Sequence, residues 1–352
     1  MAGTERAWPA LLGKLVGGQD CSAQETRWAM DQVMSGNATI AQVTALAVTL
    51  RAKGETADEV AGMASAMLDH SRRVRVDVRA VDIVGTGGDR SGTVNISTMA
   101  SLVTAAAGVP VVKHGNRAAS SQCGTADVLE ELGVAIDLPP AGVERTVTEL
   151  GIGFCFAPVF HPAMRYTAQA RREIGIPTVF NLLGPLSNPA QPSAGLIGCA
   201  DPRIAPLMAE VFAERGHSVL VVRGDDGLDE LTTTTTSSVW VVGDGEVRQE
   251  TLNPTDLGVP PCEPADLLGG DASVNALAVR KLLDGERGAV RDAVLLNAAG
   301  AVAAYTGTTD DLLADLRAGM DRVAEAVDSG AAARLLQTWA RRSTELRAEL
   351  VR

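Results

Sequence analysis

The fold class follows from one stretch, Val81-Asp82-Ile83-Val84-Gly85-Thr86-Gly87-Gly88-Asp89, in which a short apolar strand leads directly into a glycine-rich loop. A helical pattern follows as far as Ala107, and another apolar strand comes after it. This alternation predicts an α/β domain with a mainly parallel central sheet and surrounding helices, whose ligands bind beyond the carboxyl ends of the strands. Further strands are predicted at Val109–Val112, Val134–Ile136, Ile152–Ala157, Leu196–Cys199 and Val219–Val222, and the polar run Thr232–Thr236 also favours an extended backbone.

On both sides of this region the patterns indicate helices. Up to about residue 70, apolar side chains recur at helical spacing, and Thr39 and Thr56 are candidate N-caps. We expect a small all-helical domain over residues 1–74, joined in space by a segment near 163–190, and a larger α/β domain over 75–352. The helices predicted near the C-terminus are Asn275–Leu283, Arg291–Tyr305, Leu312–Val327 and Ala331–Leu350.

Composition narrows the class of protein. The 352 residues carry 31 Lys and Arg against 43 Asp and Glu, a formal net charge of −12. This excess of acid argues against nucleic-acid binding, which needs clustered cations. The five cysteines contain no CxxC pair, which predicts reduced thiols and a cytoplasmic location rather than disulfides or a zinc site. Two uncharged stretches, Ser91–Val112 and Ile174–Ala200, are interrupted by polar residues and prolines, so we expect no membrane span.

The loop after the first strand is suited to an anion. Its glycines between Gly85 and Gly88 permit positive φ angles and close approach of backbone N–H groups. Arg90 excludes a dinucleotide fingerprint, and Thr93 stands where a P-loop requires lysine. The segment Asn95–Thr98 then opens a helix whose positive end suits phosphate. A tight turn followed by an ordinary N-cap is the structural alternative.

A mixed polar segment, Lys113–Ser121, follows the next strand. Two cations, an amide, hydroxyls and a glycine within nine residues favour a site for a polyanionic ligand. A surface basic patch would be less mixed, and a buried core segment would not hold Lys and Arg.

The acidic segment Gly224–Glu230 also follows a strand. Clustered carboxylates that face a phosphate site need cations between them, and Mg²⁺ held by carboxylates and substrate phosphates meets that need. A solvated acidic turn is the alternative.

Two segments between the strands are candidates for binding a second ligand. Arg171 follows His161-Pro162 by one short helix, and its planar fork suits a carboxylate if it faces the cleft. A histidine beside proline is more typical of a structural hydrogen bond than of catalysis. The segment Asn181–Pro189 is predicted to form a rigid, largely apolar hinge.

Six ordered motifs together resemble the anthranilate phosphoribosyltransferases, which join anthranilate to phosphoribosyl pyrophosphate in tryptophan biosynthesis. The likeness covers essentially the whole chain, although Ser187 stands where threonine is frequent, and Tyr166 and Gln169 lie on a variable helix. The motifs are GTGGD at 85–89, NIST at 95–98, KHGNRAASS at 113–121, ARREIG at 170–175, NLLGPLSNPA at 181–190 and GLDELTT at 227–233.

The resemblance implies roles for individual residues. Anthranilate would be held by Gly85, Asn116 and Arg171, and two Mg²⁺ ions by Ser97, Asp229 and Glu230. It also implies a homodimer through the N-terminal helices and no assigned general base. Phosphoribosyl pyrophosphate would be held by Gly85, Gly88, Asp89, Thr93, Asn95, Ile96, Ser97, Thr98, Lys113, His114, Gly115, Asn116, Arg117, Ala118, Ala119, Ser120, Ser121 and Thr125.

Three other functions are compatible with parts of the pattern. A pyrimidine nucleoside phosphorylase of the same fold would use inorganic phosphate and would not need the pair Asp229 and Glu230. A non-catalytic nucleic-acid-binding relative is disfavoured by the net charge of −12 and by the intact motifs. A paralogue that acts on a related aromatic amine stays open.

Overall fold

Four helices form the N-terminal part of the chain. A computed structural model describes residues 7–118 and 121–350. Ser22, Thr39 and Thr56 each close a capping box with the residue three positions later, which confirms the two threonine caps expected from sequence. The helices are α1 (Trp8–Val16), α2 (Ala23–Met34), α3 (Ile40–Lys53) and α4 (Ala57–Asp69).

The rest of the chain is built on one seven-stranded sheet, which confirms the predicted fold class. The strands are β1 (Val81–Gly85), β2 (Val111–Gly115), β3 (Ile152–Phe156), β4 (Ala194–Gly198), β5 (Ser218–Gly224), β6 (Ser237–Gly243) and β7 (Glu246–Leu252). Their order is β3-β2-β1-β4-β5-β6-β7; the first five pair in parallel, and β6 pairs antiparallel with both β5 and β7.

Helices cover both faces of this sheet. These helices are α5 (Ile96–Ala106), α6 (Thr125–Glu131), α7 (Pro140–Leu150), α8 (Ala157–Phe160), α9 (Arg165–Ile174), α10 (Ala205–Glu214), α11 (Ala272–Leu283), α12 (Ala289–Thr306), α13 (Leu312–Asp328) and α14 (Ala331–Leu350). One face of the sheet packs against a core that includes α5, α12 and α13, and the other against a core shared by α10 and the four N-terminal helices. No helix in the described part of the chain is both long and apolar enough to span a bilayer.

The segment after α8 lies against the N-terminal helices. Helix α9 contacts α2 and α3, and Val179, Phe180 and Leu183 are buried in the same core. The numerical division of the chain at residues 74 and 75 stays a prediction.

Two predicted strands are wrong. Val134–Ile136 is a buried loop, since the Val134 amide donates to the Leu129 carbonyl and the Ala135 amide to Ser343 Oγ rather than to a neighbouring strand. Thr232–Thr236 bends because the Thr232 and Thr234 hydroxyls donate to the Asp226 carboxylate. The hairpin of β6 and β7 follows immediately and was not predicted.

A candidate active site at the carboxyl edge of the sheet

The central parallel strands β1 and β4 end in Gly85 and Gly198, and the acidic segment passes close to both glycines at the carboxyl edge of the sheet. A Cβ on Gly85 would lie 2.2 Å from Asp229 Oδ2, and one on Gly198 would lie 1.5 Å from the Asp229 carbonyl oxygen. Both distances are far below van der Waals contact. The acidic segment therefore lies directly against the ends of β1 and β4, as expected for a site at the carboxyl edge.

Two carboxylates of this segment are held by backbone amides. Asp229 Oδ2 accepts from the Gly87 amide at 2.7 Å, and Glu230 Oε1 accepts from the Ser97 amide at 2.9 Å. Burial raises the pKa of Asp229 to about 7, and the nearby negative charge of Asp89 is the second cause of this rise. Burial, then Asp229, raises the pKa of Glu230 well above its usual value. This concentration of negative charge favours a cation at the same place.

The donor set matches a magnesium ion that arrives with phosphate groups. In the described part of the chain, no three His, Cys, Asp or Glu side chains form a closed metal site. Mg²⁺ is usually held by one or two carboxylates, with water and substrate phosphates completing its coordination. Asp229 and Glu230 offer carboxylate oxygens of that kind, and the Ser97 amide holds Glu230 in place.

The glycine loop leaves open space in front of these carboxylates. Gly87 and Gly88 have φ angles of 70° and 86°, and a Cβ on either would meet no atom within 4 Å. Thr93 closes the loop by a single bridge to Leu268. Asp89 accepts from the backbone amide and the hydroxyl of Ser91. The loop is thus fixed at its end while its glycine backbone stays accessible to an anion.

The start of α5 faces the same space. Asn95 occupies the N-cap position, but its side chain donates to the Cys123 carbonyl and accepts from Asn275, so it caps no helix amide. Ile96 is buried in the core, and the Thr98 hydroxyl donates to that of Thr125 at 3.2 Å. The structure therefore brings the glycine loop, the α5 N-terminus and the acidic segment together.

Lys113 lies beneath the acidic pair. Its ammonium group is buried and donates to the Ile83 carbonyl. Burial lowers its pKa to about 8, against the opposing influence of Asp82, Glu230 and Asp229. The ammonium group therefore balances carboxylate charge from below instead of projecting into the open loop.

His114 points to the opposite face of the sheet. Its Nδ1 lies 3.0 Å from the Gly184 carbonyl, and burial lowers its pKa to about 4. His161 behaves likewise: its Nε2 lies 2.9 Å from the Ser187 carbonyl, and burial lowers its pKa to about 3. Both rings are neutral donors to a connecting segment, so the structural interpretation of His161 is supported.

The rest of the Lys113–Ser121 segment is directed less clearly toward the candidate site. Gly115 packs against Phe154 and Thr125, Asn116 is exposed, and Ala118 donates its amide to Asp127. Arg117 pairs with Asp127 at 2.8 Å and Glu130 at 2.9 Å, so α6 carboxylates occupy its guanidinium. The Ser121 hydroxyl donates to the Cys123 carbonyl. Ala119 and Ser120, predicted here as binding residues, lie outside the described residues.

Arg171 is half-buried on α9. Burial lowers the pKa of its guanidinium, and no carboxylate of the described residues lies within ion-pairing distance of it. Neighbouring Arg172 is exposed. An unpaired, partly desolvated guanidinium favours an anionic ligand.

Asp82 is a buried carboxylate behind the candidate site, and it is not among the residues predicted from the sequence. Asp82 accepts from Asn188 Nδ2 at 2.8 Å and from the His114 amide at 3.1 Å. Asn188 also donates to the Val112 carbonyl at 2.8 Å. These contacts join β1, β2 and the segment 184–190. A charged residue inside an otherwise apolar strand was the signal that could have identified Asp82.

Comparison with known proteins identifies the family. Residues 77–333 match the model described as glycosyl transferase family, a/b domain, and residues 9–71 match that family's helical bundle domain. The chain is 69% identical to an anthranilate phosphoribosyltransferase from Saccharopolyspora erythraea, over 99% of each chain. It belongs to the anthranilate phosphoribosyltransferase family. The relative from Thermobifida fusca is 59% identical over 96% of this chain and 97% of its own.

Solved structures of this family agree with the fold. The anthranilate phosphoribosyltransferase of Thermus thermophilus has a TM-score of 0.88 at 41% identity, covering 95% of this chain and 99% of its own. The enzyme of Saccharomyces cerevisiae in complex with PRPP and Mg has a TM-score of 0.87 at 26% identity, covering 97% and 99%. The resemblance drawn from the six sequence motifs is therefore confirmed, whereas the roles of individual residues stay predictions.

Proposed function

We propose that this protein is an anthranilate phosphoribosyltransferase. It transfers the 5-phosphoribosyl group of phosphoribosyl pyrophosphate to the amine of anthranilate, and it releases pyrophosphate and N-(5-phosphoribosyl)anthranilate. The observation that carries the proposal is the pair Asp229 and Glu230, held by the amides of Gly87 and Ser97 at a glycine-lined edge of the sheet. Curated relatives up to 69% identical over nearly the whole chain bear the name of this enzyme.

The donor substrate is assigned to the open glycine loop and the start of α5. Backbone amides near Gly88 and the N-terminal end of α5 suit phosphate oxygens. The polar residues between Thr93 and Thr98 are assigned to the same substrate from the sequence. Lys113 offsets the negative charge beneath. We keep the other donor-binding residues predicted from the sequence, Gly115 to Ser121 and Thr125, and leave out His114, because its ring bonds to the Gly184 carbonyl on the opposite face of the sheet.

Magnesium is the cofactor, in keeping with a relative's complex with PRPP and Mg. We assign its protein ligands to Ser97, Asp229 and Glu230, with two ions in each site. When bound, magnesium supplies positive charge that stabilises pyrophosphate as it leaves.

The protein's own part in the reaction is to bind and orient the two substrates. The bond from C1 of the ribose to the pyrophosphate oxygen breaks, the bond from C1 to the anthranilate nitrogen forms, and the nitrogen loses a proton. C1 passes through an oxocarbenium-like state, which a neutral aromatic amine can attack without prior deprotonation. Orientation of two substrates accounts for roughly 7–11 kcal/mol of a barrier. No general base is therefore required before attack.

The acceptor is assigned to Gly85, Asn116 and Arg171. Arg171 carries an unpaired, half-buried guanidinium, which suits the anthranilate carboxylate. Gly85 brings the acceptor close to the donor loop because it has no side chain.

We assign the protein to the cytoplasm. We also propose that it forms a homodimer through its N-terminal helices. Val16 is 76% exposed, and Ile40 and Val48 on α3 are 43% and 39% exposed. Helices α1 and α3 pack together, so these apolar side chains are on neighbouring elements. Exposed apolar side chains grouped in this way favour an interface.

Acceptor specificity tests the proposal against its alternatives. Purified protein with phosphoribosyl pyrophosphate and Mg²⁺ should release pyrophosphate with anthranilate, and more slowly with its methyl ester, which lacks the carboxylate charge. Release that favours another aromatic amine would make the protein a paralogue with a different acceptor. Cleavage of a pyrimidine nucleoside by inorganic phosphate, without pyrophosphate release, would replace the proposal with a phosphorylase.

A further inference from the structure

A second cavity lies at the opposite end of the strands from the candidate active site. It has a volume of about 350 Å³. Its walls come from α4, from the segment 185–192, from the first residues of β4 and from the residues that follow α10. Ala194 and Gly195 are the first two residues of β4, whereas the acidic pair faces Gly198 at the other end of that strand. The two sites are therefore separated by the length of the strand.

Arg215 provides a cationic group in this cavity. Its Nη1 donates to the Leu186 carbonyl at 2.8 Å, and no carboxylate of the described residues lies within ion-pairing distance of it. Burial lowers the pKa of this guanidinium, but arginine stays protonated in proteins. A partly buried charge without a counter-ion is costly, and an anion in the cavity offsets that cost.

His217 provides a neutral polar atom next to Arg215. Its Nδ1 is fully buried and has no hydrogen-bond partner among the described residues. Burial lowers the pKa of the ring to about 4, so it is uncharged at neutral pH. A buried polar atom without a partner costs about 1–3 kcal/mol. Because Nδ1 is shielded from the cavity, the ring contributes an uncharged wall beside Arg215.

Asp82, the carboxylate among the lining residues, does not cancel this positive character. It is 2% exposed, and its two oxygens already accept from Asn188 and from the His114 amide. Lys113 lies close enough to stabilise its charge. Among the lining residues, Arg215 is therefore the one that presents an unpaired charge, and the exposed Glu214 carboxylate acts on it from beyond ion-pairing distance.

The remaining walls are mixed, with the apolar side chains of Leu68, Ile197 and Phe212 on one part and the polar side chains of Ser65 and Gln191 on another. A volume of about 350 Å³ falls in the range typical of small-molecule sites. One guanidinium, one uncharged ring and an apolar patch at Leu68, Ile197 and Phe212 match a small ligand with one anionic group and a short apolar part. A phosphate group carries more charge than a single arginine balances.

We propose that this cavity binds a small organic carboxylate, whose headgroup pairs with Arg215 beside the uncharged ring of His217 while its apolar part packs against Leu68, Ile197 and Phe212. Because Arg215 also holds the Leu186 carbonyl, the occupant fixes the segment 185–192 against α10. This site is independent of the catalytic assignment, since it shares no proposed substrate-binding residue.

Titration calorimetry with 4-methylpentanoate and its uncharged amide tests the site. We expect saturable binding of the carboxylate and at least about tenfold weaker binding of the amide, because charged groups form the stronger hydrogen bonds. Arg215→Gln should weaken carboxylate binding by at least about tenfold, and Arg215→Lys by less. The matched control, Arg203→Gln, removes an exposed guanidinium near the start of α10 and should leave binding unchanged.

Three results would overturn the proposal. They are absence of saturable carboxylate binding, equal binding of the carboxylate and the amide, and equal binding to wild type and to a folded Arg215→Gln variant. Binding that disappears in Arg171→Ala instead would place the carboxylate in the proposed acceptor site and also overturn it. Saturable binding of inorganic phosphate at equal affinity would replace the carboxylate with a phosphate ligand.

Discussion

Two glycines at the carboxyl edge of the sheet have no room for a side chain. Gly198 has the Asp229 carbonyl where its Cβ would be, and Gly85 has the Asp229 carboxylate there. Neither glycine is required by a positive φ angle. Their role is to let the acidic segment approach the strand ends, so the position of the proposed magnesium ligands depends on two absent side chains.

Gly198→Ala should displace Asp229 and reduce turnover strongly. The added methyl group forces a backbone shift, and overpacking costs about 1–3 kcal/mol. Urea denaturation and turnover of the same preparation measure both effects. The control Gly13→Ala adds a methyl group where no atom lies within 4 Å and should preserve activity. Full activity of Gly198→Ala would contradict the described position of Asp229.

Asp229→Asn should lower the apparent affinity for Mg²⁺ by more than about tenfold, as loss of a well-placed metal partner does. Turnover measured against Mg²⁺ concentration gives this value. Asp225→Asn is the matched control, because Asp225 is exposed and accepts from the hydroxyls of Thr236 and Ser238 instead. An identical Mg²⁺ dependence of Asp229→Asn and wild type would remove Asp229 from the metal site.

Arg171→Ala should raise the KM for anthranilate roughly 10- to 100-fold, which corresponds to losing a hydrogen bond to a charged group. The KM for phosphoribosyl pyrophosphate should change little. Arg172→Ala removes the exposed neighbouring guanidinium and should have no such effect. Steady-state kinetics with each substrate varied in turn separate the two cases, and unchanged anthranilate kinetics in Arg171→Ala would withdraw that assignment.

At the scale of elements, the segment 184–190 is held by side chains from several parts of the fold. His114, His161 and Arg215 donate to the Gly184, Ser187 and Leu186 carbonyls. Asn188 joins the same segment to Asp82. Since these donors come from β2, from the end of α8 and from the end of α10, the segment fastens the sheet to the region that packs on the N-terminal helices.

Asn188→Ala should destabilise the protein by about 1–3 kcal/mol, because the Asp82 carboxylate and the Val112 carbonyl each lose a buried donor. Chemical denaturation gives the free energy of unfolding. Asn37→Ala, at an exposed position, should change it little. Equal stability of the two variants would show that the Asp82 contacts contribute nothing.

Elements with strong local patterns were predictable from the sequence. The strand before the glycine loop and the long C-terminal helices are confirmed because their apolar residues repeat at the expected spacing. Val134–Ile136 has strand composition, yet its amides bond to Leu129 and Ser343, a tertiary outcome that no local pattern contains. Thr232–Thr236 fails for a similar reason, since Asp226 captures its hydroxyls.

The location of the candidate site was predictable from the sequence, but the directions of its side chains were not. Strand ends followed by glycine and polar residues predict that these segments meet at one edge of the sheet, and the structure brings the loop at Gly87 to Asp229 there. The sequence could not show that Lys113 points inward or that Arg117 pairs with Asp127 and Glu130. Those directions depend on strand register and on helix α6, which are set by packing across the fold.

At the scale of the whole molecule, the net charge affects substrate binding and the exposed apolar side chains affect the oligomeric state. A net charge of −12 repels polyanions at a distance, so a polyanionic donor needs local compensation, which we assign to backbone amides and magnesium. Exposed apolar side chains on α1 and α3 instead favour association with a second copy.

Val48→Glu should convert the proposed dimer into a monomer, because a carboxylate buried in an apolar interface is costly. Sedimentation velocity measures the state directly. Val247→Glu, on the exposed side of β7, is the control and should leave assembly unchanged. A wild-type protein that sediments as a monomer would contradict the assignment itself.

The most direct measurement follows anthranilate fluorescence over time with purified protein, phosphoribosyl pyrophosphate and Mg²⁺, and repeats it with EDTA and with Asp229→Asn. We expect the fluorescence to fall with both substrates and metal present, to stay constant with EDTA and to fall much more slowly with the variant. A constant signal under complete conditions would contradict the transferase assignment. A fall that EDTA leaves unaffected would contradict the role of the acidic pair.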